Sequence, residues 1–261
     1  MKVTLITGAS SGIGEAFARR LAAEGHNLVL VARSEGALHA LRDALMTRHE
    51  VIVHYTTLDL TGQNADERLF EETTRKGFEV DWLINNAGFG SVGDFARADL
   101  ERELKMIDLN IKALVAVTGR YLPGMRERRR GTIINVSSAA GFQPIPFMAT
   151  YAATKAFVTS FSEAIAEENR PFGIQVLALC PGSTKTNFFA ASNIERPIQV
   201  KGQQTPEDVV ETGLRAVASG RTKVVSGLAN KAGATLGGYT PTWFSRRLMA
   251  RALRSRYQES E

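Results

Sequence analysis

The chain has 261 residues, 44% of them apolar and 23% charged, enough for one large buried core and too apolar for disorder. A single cysteine, Cys180, excludes an intramolecular disulfide and a multi-cysteine metal site, and the histidines at 26, 39, 49 and 54 have no metal-ligand spacing. The net charge is +5, but residues 240–261 carry five arginines against two glutamates, which leaves only +2 elsewhere and argues against nucleic-acid binding by the whole domain.

In chain order, "KVTLI" is short, apolar and β-branched, and predicts a buried first strand. The glycine-rich "TGASSGIG" follows at 7–14, and "IGEAFARRLAAEG" then shows helical spacing of Ile13, Phe17 and Leu21 with Gly25 as a stop. "NLVLVA" is the second strand, a helix starts at Ser34, and "EVIVHYTTLD" is the third strand. The alternation goes on with a helix near 62–76, the strand "VDWLIN" and a long helical stretch over about 99–127. "GTIINVS", a helix over about 150–168, "GIQVLALC", a helix from about 206 and the short strand "KVVSG" complete it. Strands alternating with helices predict an α/β fold, a single doubly wound parallel sheet of about seven strands with helices on both faces. No linker or repeat divides it. The predicted organisation is a catalytic domain over 1–239 and a basic tail over 240–261. No apolar run reaches the roughly 18 residues of a membrane span, no targeting leader is expected, and the lone cysteine fits a reducing, cytoplasmic setting.

The glycine loop lies between a strand and a helix, where free N–H groups and the helix dipole favour a phosphate. Gly8 suits backbone angles closed to other residues, Gly12 permits close approach to a pyrophosphate, and Gly14 permits tight helix–strand packing. Ser10 and Ser11 add hydroxyls, and Ile13 opens the helix. An ordinary βα turn without a ligand is the competing reading. Farther on, "YAATK" places Tyr151 and Lys155 one helical turn apart, on one face. Ser138 and the "NNAG" of 85–88 follow strands, at the carboxyl edge where parallel sheets bind ligands.

In this order, "TGASSGIG", "NNAG", Asn110 in "DLNIKALVAVTG", "NVSS" before "YAATK", and "PGSTKT" at 181–186 resemble the short-chain dehydrogenase/reductase family in its compact form. The resemblance covers residues 3–226 and implies a Rossmann-like fold and carbonyl–alcohol interconversion with a nicotinamide cofactor. A tyrosine phenol ordinarily titrates near 10, and a neighbouring lysine cation favours the phenolate, so Tyr151 beside Lys155 makes sense as a general acid and base. The resemblance further implies that Lys155 bonds the nicotinamide ribose, that Ser138 rather than Ser137 bonds the substrate oxygen, and that Asn110 holds a water in the proton path. It places Asp59 and Leu60 at the adenine, Asn86, Ala87 and Gly88 along the adenine-side ribose and phosphates, Pro181 and Gly182 around the nicotinamide, and Thr184 and Thr186 near its carboxamide or a phosphate. Thr184 departs from the apolar residue usual in the family.

An acidic residue at the end of the second strand would bind the ribose hydroxyls of NAD. Here Ala32 stands in that place and Arg33 follows, with Ser34 as a further hydroxyl, so NADP is the expected cofactor. Phe89, Phe142, Phe147 and Phe188, with Ile145 in the segment "GFQPIPFM" at 141–148, are candidates for an apolar substrate pocket, and no arginine cluster calls for a carboxylate. A hydrophobic ketone or aldehyde is expected. The arginine-rich "WFSRRLMARALRSR" over 243–256 fits either a helix packed on the body or a weak peripheral contact with a membrane surface. A homodimer or homotetramer is implied by the resemblance. The competing functions are a non-catalytic NADP-binding regulator on the same fold and a membrane-associated scaffold relying on the tail.

Overall fold

A computed structural model describes residues 1–186, 188, 203–227, 230 and 242–257. Seven parallel strands form one sheet: β1 (Lys2–Thr7), β2 (Leu28–Ala32), β3 (Val53–Thr57), β4 (Glu79–Asn85), β5 (Gly131–Val136), β6 (Ile174–Cys180) and β7 (Lys223–Val225), in the spatial order β3-β2-β1-β4-β5-β6-β7. The order reverses at β1, which pairs with β2 on one side and β4 on the other, and this leaves a crevice at their carboxyl ends.

Helices cover both faces, as parallel strands require. Successive side chains of β1 divide between two cores. Ile6 joins Phe17 and Leu21 of α1 (Gly12–Ala23), Leu38 of α2 (Glu35–Arg48) and Val209 of α7 (Pro206–Ala218). Val3 and Leu5 join Leu69 of α3 (Ala65–Arg75), Val117 of α5 (Leu114–Glu127) and Ile165 of α6 (Ala149–Asn169). α7 opens on a reciprocal cap, in which the Thr205 hydroxyl accepts from the Asp208 N–H and the Asp208 carboxylate accepts from the Thr205 N–H, each at 3.1 Å.

Two differences from the sequence expectation stand out. The helix expected from about 62 starts at Ala65, after Asn64 adopts a left-handed φ of 53°. The long helix expected over 99–127 is α4 (Leu100–Ile107) and α5 joined by a π-helical turn over Asp108–Ala113. The extra residue in that turn displaces Asn110 from regular helical register, a distortion frequent at functional sites.

The sheet beneath the crevice is fixed by a buried polar chain. The Asn85 amide donates to the Thr118 hydroxyl and to Asn135 Oδ1, each at 2.9 Å, and the Asn135 amide donates to the Ser162 hydroxyl at 2.9 Å. Each member has its partner, so the chain locks β4 and β5 to α5 and α6 without leaving a buried polar atom unpaired. Among the described residues no helix is long and apolar enough to cross a membrane, and no cluster of His, Cys, Asp or Glu suits a metal.

Candidate active site

The crevice is a cavity of about 1030 Å³ that extends from the end of β2 across the glycine loop to α6. Gly8 has a φ of 65° and packs on the segment after β4, where the Asn86 side-chain amide donates to the carbonyls of Thr7 and Gly8 at 3.1 and 3.0 Å. A Cβ on Gly14 would come within 2.5 Å of that amide, so glycine is needed there for close approach rather than for its backbone angles. Gly14 itself is behind the wall. Ser10, Ser11, Gly12 and Ile13 line the cavity, and Thr186 closes over Gly12.

The Ser11 side chain makes no capping bond, so the first N–H groups of α1 face the cavity without a side-chain acceptor. An uncapped helix start of this kind suits a phosphate. Arg33 and Ser34 line the end of the cavity beyond β2, where Arg33 is exposed, has no ion pair among the described residues, and Ala32 offers no carboxylate. Asp59 and Leu60 border the same end. Burial opposes the Asp59 charge, but hydrogen bonds from the Thr61 N–H and hydroxyl, with Arg33 and Lys105 nearby, hold its carboxyl below the usual range. It therefore stays an acceptor at neutral pH. These features fit a dinucleotide carrying an extra phosphate.

At the other end, Tyr151 and Lys155 lie on the first turns of α6 and both line the cavity. The Ser138 hydroxyl lies near enough to the Tyr151 phenol to ease its ionisation, and it accepts from the Ala140 N–H at 3.1 Å. Ser137 is turned away: its hydroxyl donates to the Lys155 carbonyl at 2.7 Å and meets the Thr159 hydroxyl at 2.7 Å. Burial pushes the Tyr151 phenol up to about 12, against the opposing influence of the Ser138 hydroxyl, and pushes Lys155 down to about 8. Burial is the dominant influence on the phenol. Lys155 Nζ is 5.9 Å from the Tyr151 ring centroid and donates to the Val136 carbonyl at 2.9 Å.

Asn110 stands one layer behind the wall. Its Oδ1 accepts from the Phe89 N–H at 3.1 Å, and its amide donates to the Phe89 carbonyl at 3.0 Å and to the Thr154 hydroxyl at 3.1 Å. Its side chain thereby holds the segment after "NNAG". Asn86, Ala87, Gly88 and Phe89 line the cavity, as do Pro181, Gly182, Thr184 and Thr186. The Thr184 hydroxyl donates to the Gly182 carbonyl at 3.0 Å.

Of the four phenylalanines expected at the substrate, Phe89 and Phe188 line the cavity, and Phe188 packs on Tyr151 at 5.5 Å between centroids. Phe142 and Phe147 are not among the residues that line it. Phe142 ends the short turn Ala139–Phe142 and lies under Lys223, and Phe147, at a φ of 66°, pairs with Tyr257. From the same segment, Ile145 and Met148 line the wall. Arg102, Lys105 and Met249 also line it and were not singled out in the sequence. Met249 belongs to α8 (Thr242–Tyr257), so the described part of the basic tail is a helix with a residue on the cavity wall.

Fold and site together define an oxidoreductase that uses a nicotinamide dinucleotide. The family description "short chain dehydrogenase" matches residues 2–197, and the chain belongs to that family. It is 29% identical over 260 residues to the very-long-chain 3-oxoacyl-CoA reductase of Mus musculus, covering 97% of this chain and 81% of that protein. A solved short-chain dehydrogenase from Sphingobium yanoikuyae in complex with NADPH superposes with a TM-score of 0.83 at 30% identity, covering 100% and 98% of the two chains. The bulky-bulky ketone specific alcohol dehydrogenase of Comamonas testosteroni superposes at 0.77 and 28% identity, covering 100% and 96%.

Proposed function

We propose that the protein is an NADP(H)-dependent enzyme that interconverts an apolar ketone or aldehyde and its alcohol, with Tyr151 as general acid and base. The observation that carries this reading is the placement of Ser138, Tyr151 and buried Lys155 together on the wall of the same cavity as the glycine loop and Arg33. The Ser138 and Tyr151 hydroxyls converge, so one carbonyl oxygen can accept from both. Burial keeps the proton on the phenol at rest, which suits an acid. Its release as charge builds on the oxygen needs a cation beside the phenolate, and Lys155 is that cation.

Bound NADPH supplies the hydride to the carbonyl carbon. Ser10 to Ile13 would hold its diphosphate, Arg33 and Ser34 the 2′-phosphate, Asp59 and Leu60 the adenine, and Lys155 the nicotinamide ribose. The lack of a carboxylate at Ala32 and the guanidinium of Arg33, without an ion pair among the described residues, favour NADP over NAD. Phe89, Phe188, Ile145 and Met148 give the carbonyl end an apolar lining. The substrates named for the Comamonas and mouse relatives, a bulky ketone and a very-long-chain acyl compound, accord with it.

The exposed Leu100, Leu104 and Ile107 of α4 and Phe157 of α6 support a homo-oligomer. Loss of NADPH absorbance across a panel of apolar ketones and aldehydes tests the reading. Turnover by the wild type and none by Tyr151→Phe is the expected result; equal turnover by the variant overturns it. NADPH binding without turnover on any member would favour a cofactor-binding regulator.

A further inference from the structure

Arg102 is the one charged side chain lining this cavity that has a buried polar atom left unanswered among the described residues. Its backbone N–H is capped by Asp99 Oδ1 at 3.2 Å, but its side chain has no ion pair, and Nη2 is withdrawn from water with no hydrogen-bond partner. The nearby charges are already engaged: Lys105 pairs with Glu101 at 2.7 Å, and Asp99 serves the helix start. A desolvated guanidinium N–H without an acceptor is costly, and in a native protein it calls for an explanation.

The position of Arg102 indicates what it awaits. Its guanidinium lies on the Phe89 ring, 5.4 Å from the centroid. Phe89 is held through its own backbone by Asn110, and the neighbouring Gly90 abuts Tyr151 and Phe188. Arg102 is therefore built onto the segment that borders the reacting tyrosine. The glycine loop and Arg33, suited to the phosphates of a dinucleotide, are on other elements.

We propose that Arg102 is an anion-binding, specificity-determining residue of this cavity, taking the carboxylate or phosphate of an otherwise apolar carbonyl substrate. This rests on the carbonyl-reductase reading and narrows its substrate class to amphipathic oxo compounds with an acidic group. The aromatic contact with Phe89 fixes the guanidinium plane, and an arriving anion supplies the missing acceptor. The cofactor diphosphate is the other source of the same chemistry, and the test separates the two.

Reduction of oxo fatty acids and of their methyl esters is compared in the wild type, Arg102→Gln and Arg102→Lys, with NADPH dissociation constants measured in parallel by fluorescence. Arg102→Gln should lower kcat/KM for the acids by roughly 10–100-fold, the range of a lost charge-assisted hydrogen bond, and leave the esters and NADPH affinity within about twofold. Arg102→Lys should restore part of the loss. Equal losses on acid and ester would mean a packing role, and weakened NADPH with an unchanged acid-to-ester ratio would assign the residue to the cofactor; either overturns the proposal. Binding of decanoic acid and methyl decanoate to the NADP+-saturated protein, by calorimetry, reads the same contact without turnover. Tighter binding of the acid, abolished by Arg102→Gln, supports it, and equal binding of acid and ester by the wild type overturns it. Failure of every oxo compound to be reduced would instead count against the carbonyl-reductase reading.

Discussion

Lys155 donates to the Val136 carbonyl at 2.9 Å while its Nζ stands 5.9 Å from the centroid of the Tyr151 ring. The ammonium is thus anchored to the end of β5 and held beside the phenol instead of being bonded to it. Tyr151→Phe removes only the phenolic oxygen and leaves this anchor and the packing on Phe188 intact. Turnover should fall by roughly 10²–10⁴-fold, the usual contribution of a general acid, with NADPH affinity little changed. Steady-state rates and a fluorescence titration check the two halves of this expectation.

The same lysine gives the protein a pH signature. Burial places its folded-state value at about 8, below the ordinary lysine value of 10.5. Between those values the unfolded chain binds more protons than the native one, so stability rises with pH across that window; below about 8 the full cost of the buried charge is present. Tyr151 has the opposite sign. Raised from 10 to about 12, it makes stability fall as pH climbs through that higher range. Wild type should gain on the order of 1–3 kcal/mol over Lys155→Met between pH 8 and 10, as read by urea unfolding at each pH. A constant difference across that range would show that the lysine titrates normally.

Much of this arrangement is legible in the sequence because it rests on local rules. Alternating apolar runs and helical periods imply the parallel sheet, and the glycine loop marks the turn between β1 and α1. The Tyr151–Lys155 spacing places both side chains on one helical face. What stays hidden depends on long-range packing. Nothing near Asn110 announces a π-helical turn, and the sequence of the segment 141–148 does not say which of its apolar residues face the wall. Arg102 reads as one more surface charge of α4 until the fold brings Phe89 beneath it. The sequence shows the cation beside Tyr151 and not the depth of burial that raises its phenol.

Arg33 should decide between the two nicotinamide dinucleotides. It borders the cavity without a carboxylate partner among the described residues, and Ala32 beside it cannot bond a ribose hydroxyl. Arg33→Ala should weaken NADP+ by roughly 10–100-fold, as expected for the loss of a charge-assisted phosphate contact, and leave NAD+ nearly unchanged. Calorimetric titration of both cofactors against both proteins measures it. Tighter binding of NAD+ than NADP+ by the wild type would contradict the assignment.

Gly14 and Gly36 separate close approach from helix propensity. Both are in the first turn of a helix, where alanine is intrinsically favoured by up to about 1 kcal/mol. A methyl group on Gly36 meets nothing within 4 Å, whereas on Gly14 it would strike the Gly8 carbonyl and the Asn86 amide. Gly36→Ala should be neutral or slightly stabilising. Gly14→Ala should cost about 1–3 kcal/mol through overpacking and should also weaken the cofactor, because the glycine loop must shift. Thermal unfolding with and without NADP+ distinguishes the two variants.

The C-terminal helix α8 carries the proposal of peripheral membrane contact. Met249 lines the cavity and Tyr257 reaches Phe147, while Trp243 and Leu248 are 53% and 60% exposed. Arg246, Arg247, Arg251 and Arg254 are also exposed, and the helix contains no acidic residue. Apolar and cationic side chains outside, with a cavity-lining residue inside, are the attributes of a helix resting on an anionic lipid surface beside the entrance for an apolar substrate. The wild type should sediment with phosphatidylserine-containing vesicles at low salt, much less with phosphatidylcholine alone, and should be released as salt rises. Trp243→Ala combined with Arg247→Glu and Arg251→Glu should abolish sedimentation and leave NADPH affinity intact. If the wild type ignores both vesicle types and its oligomeric state changes in the triple variant, the outer face of α8 instead meets a second copy of the chain.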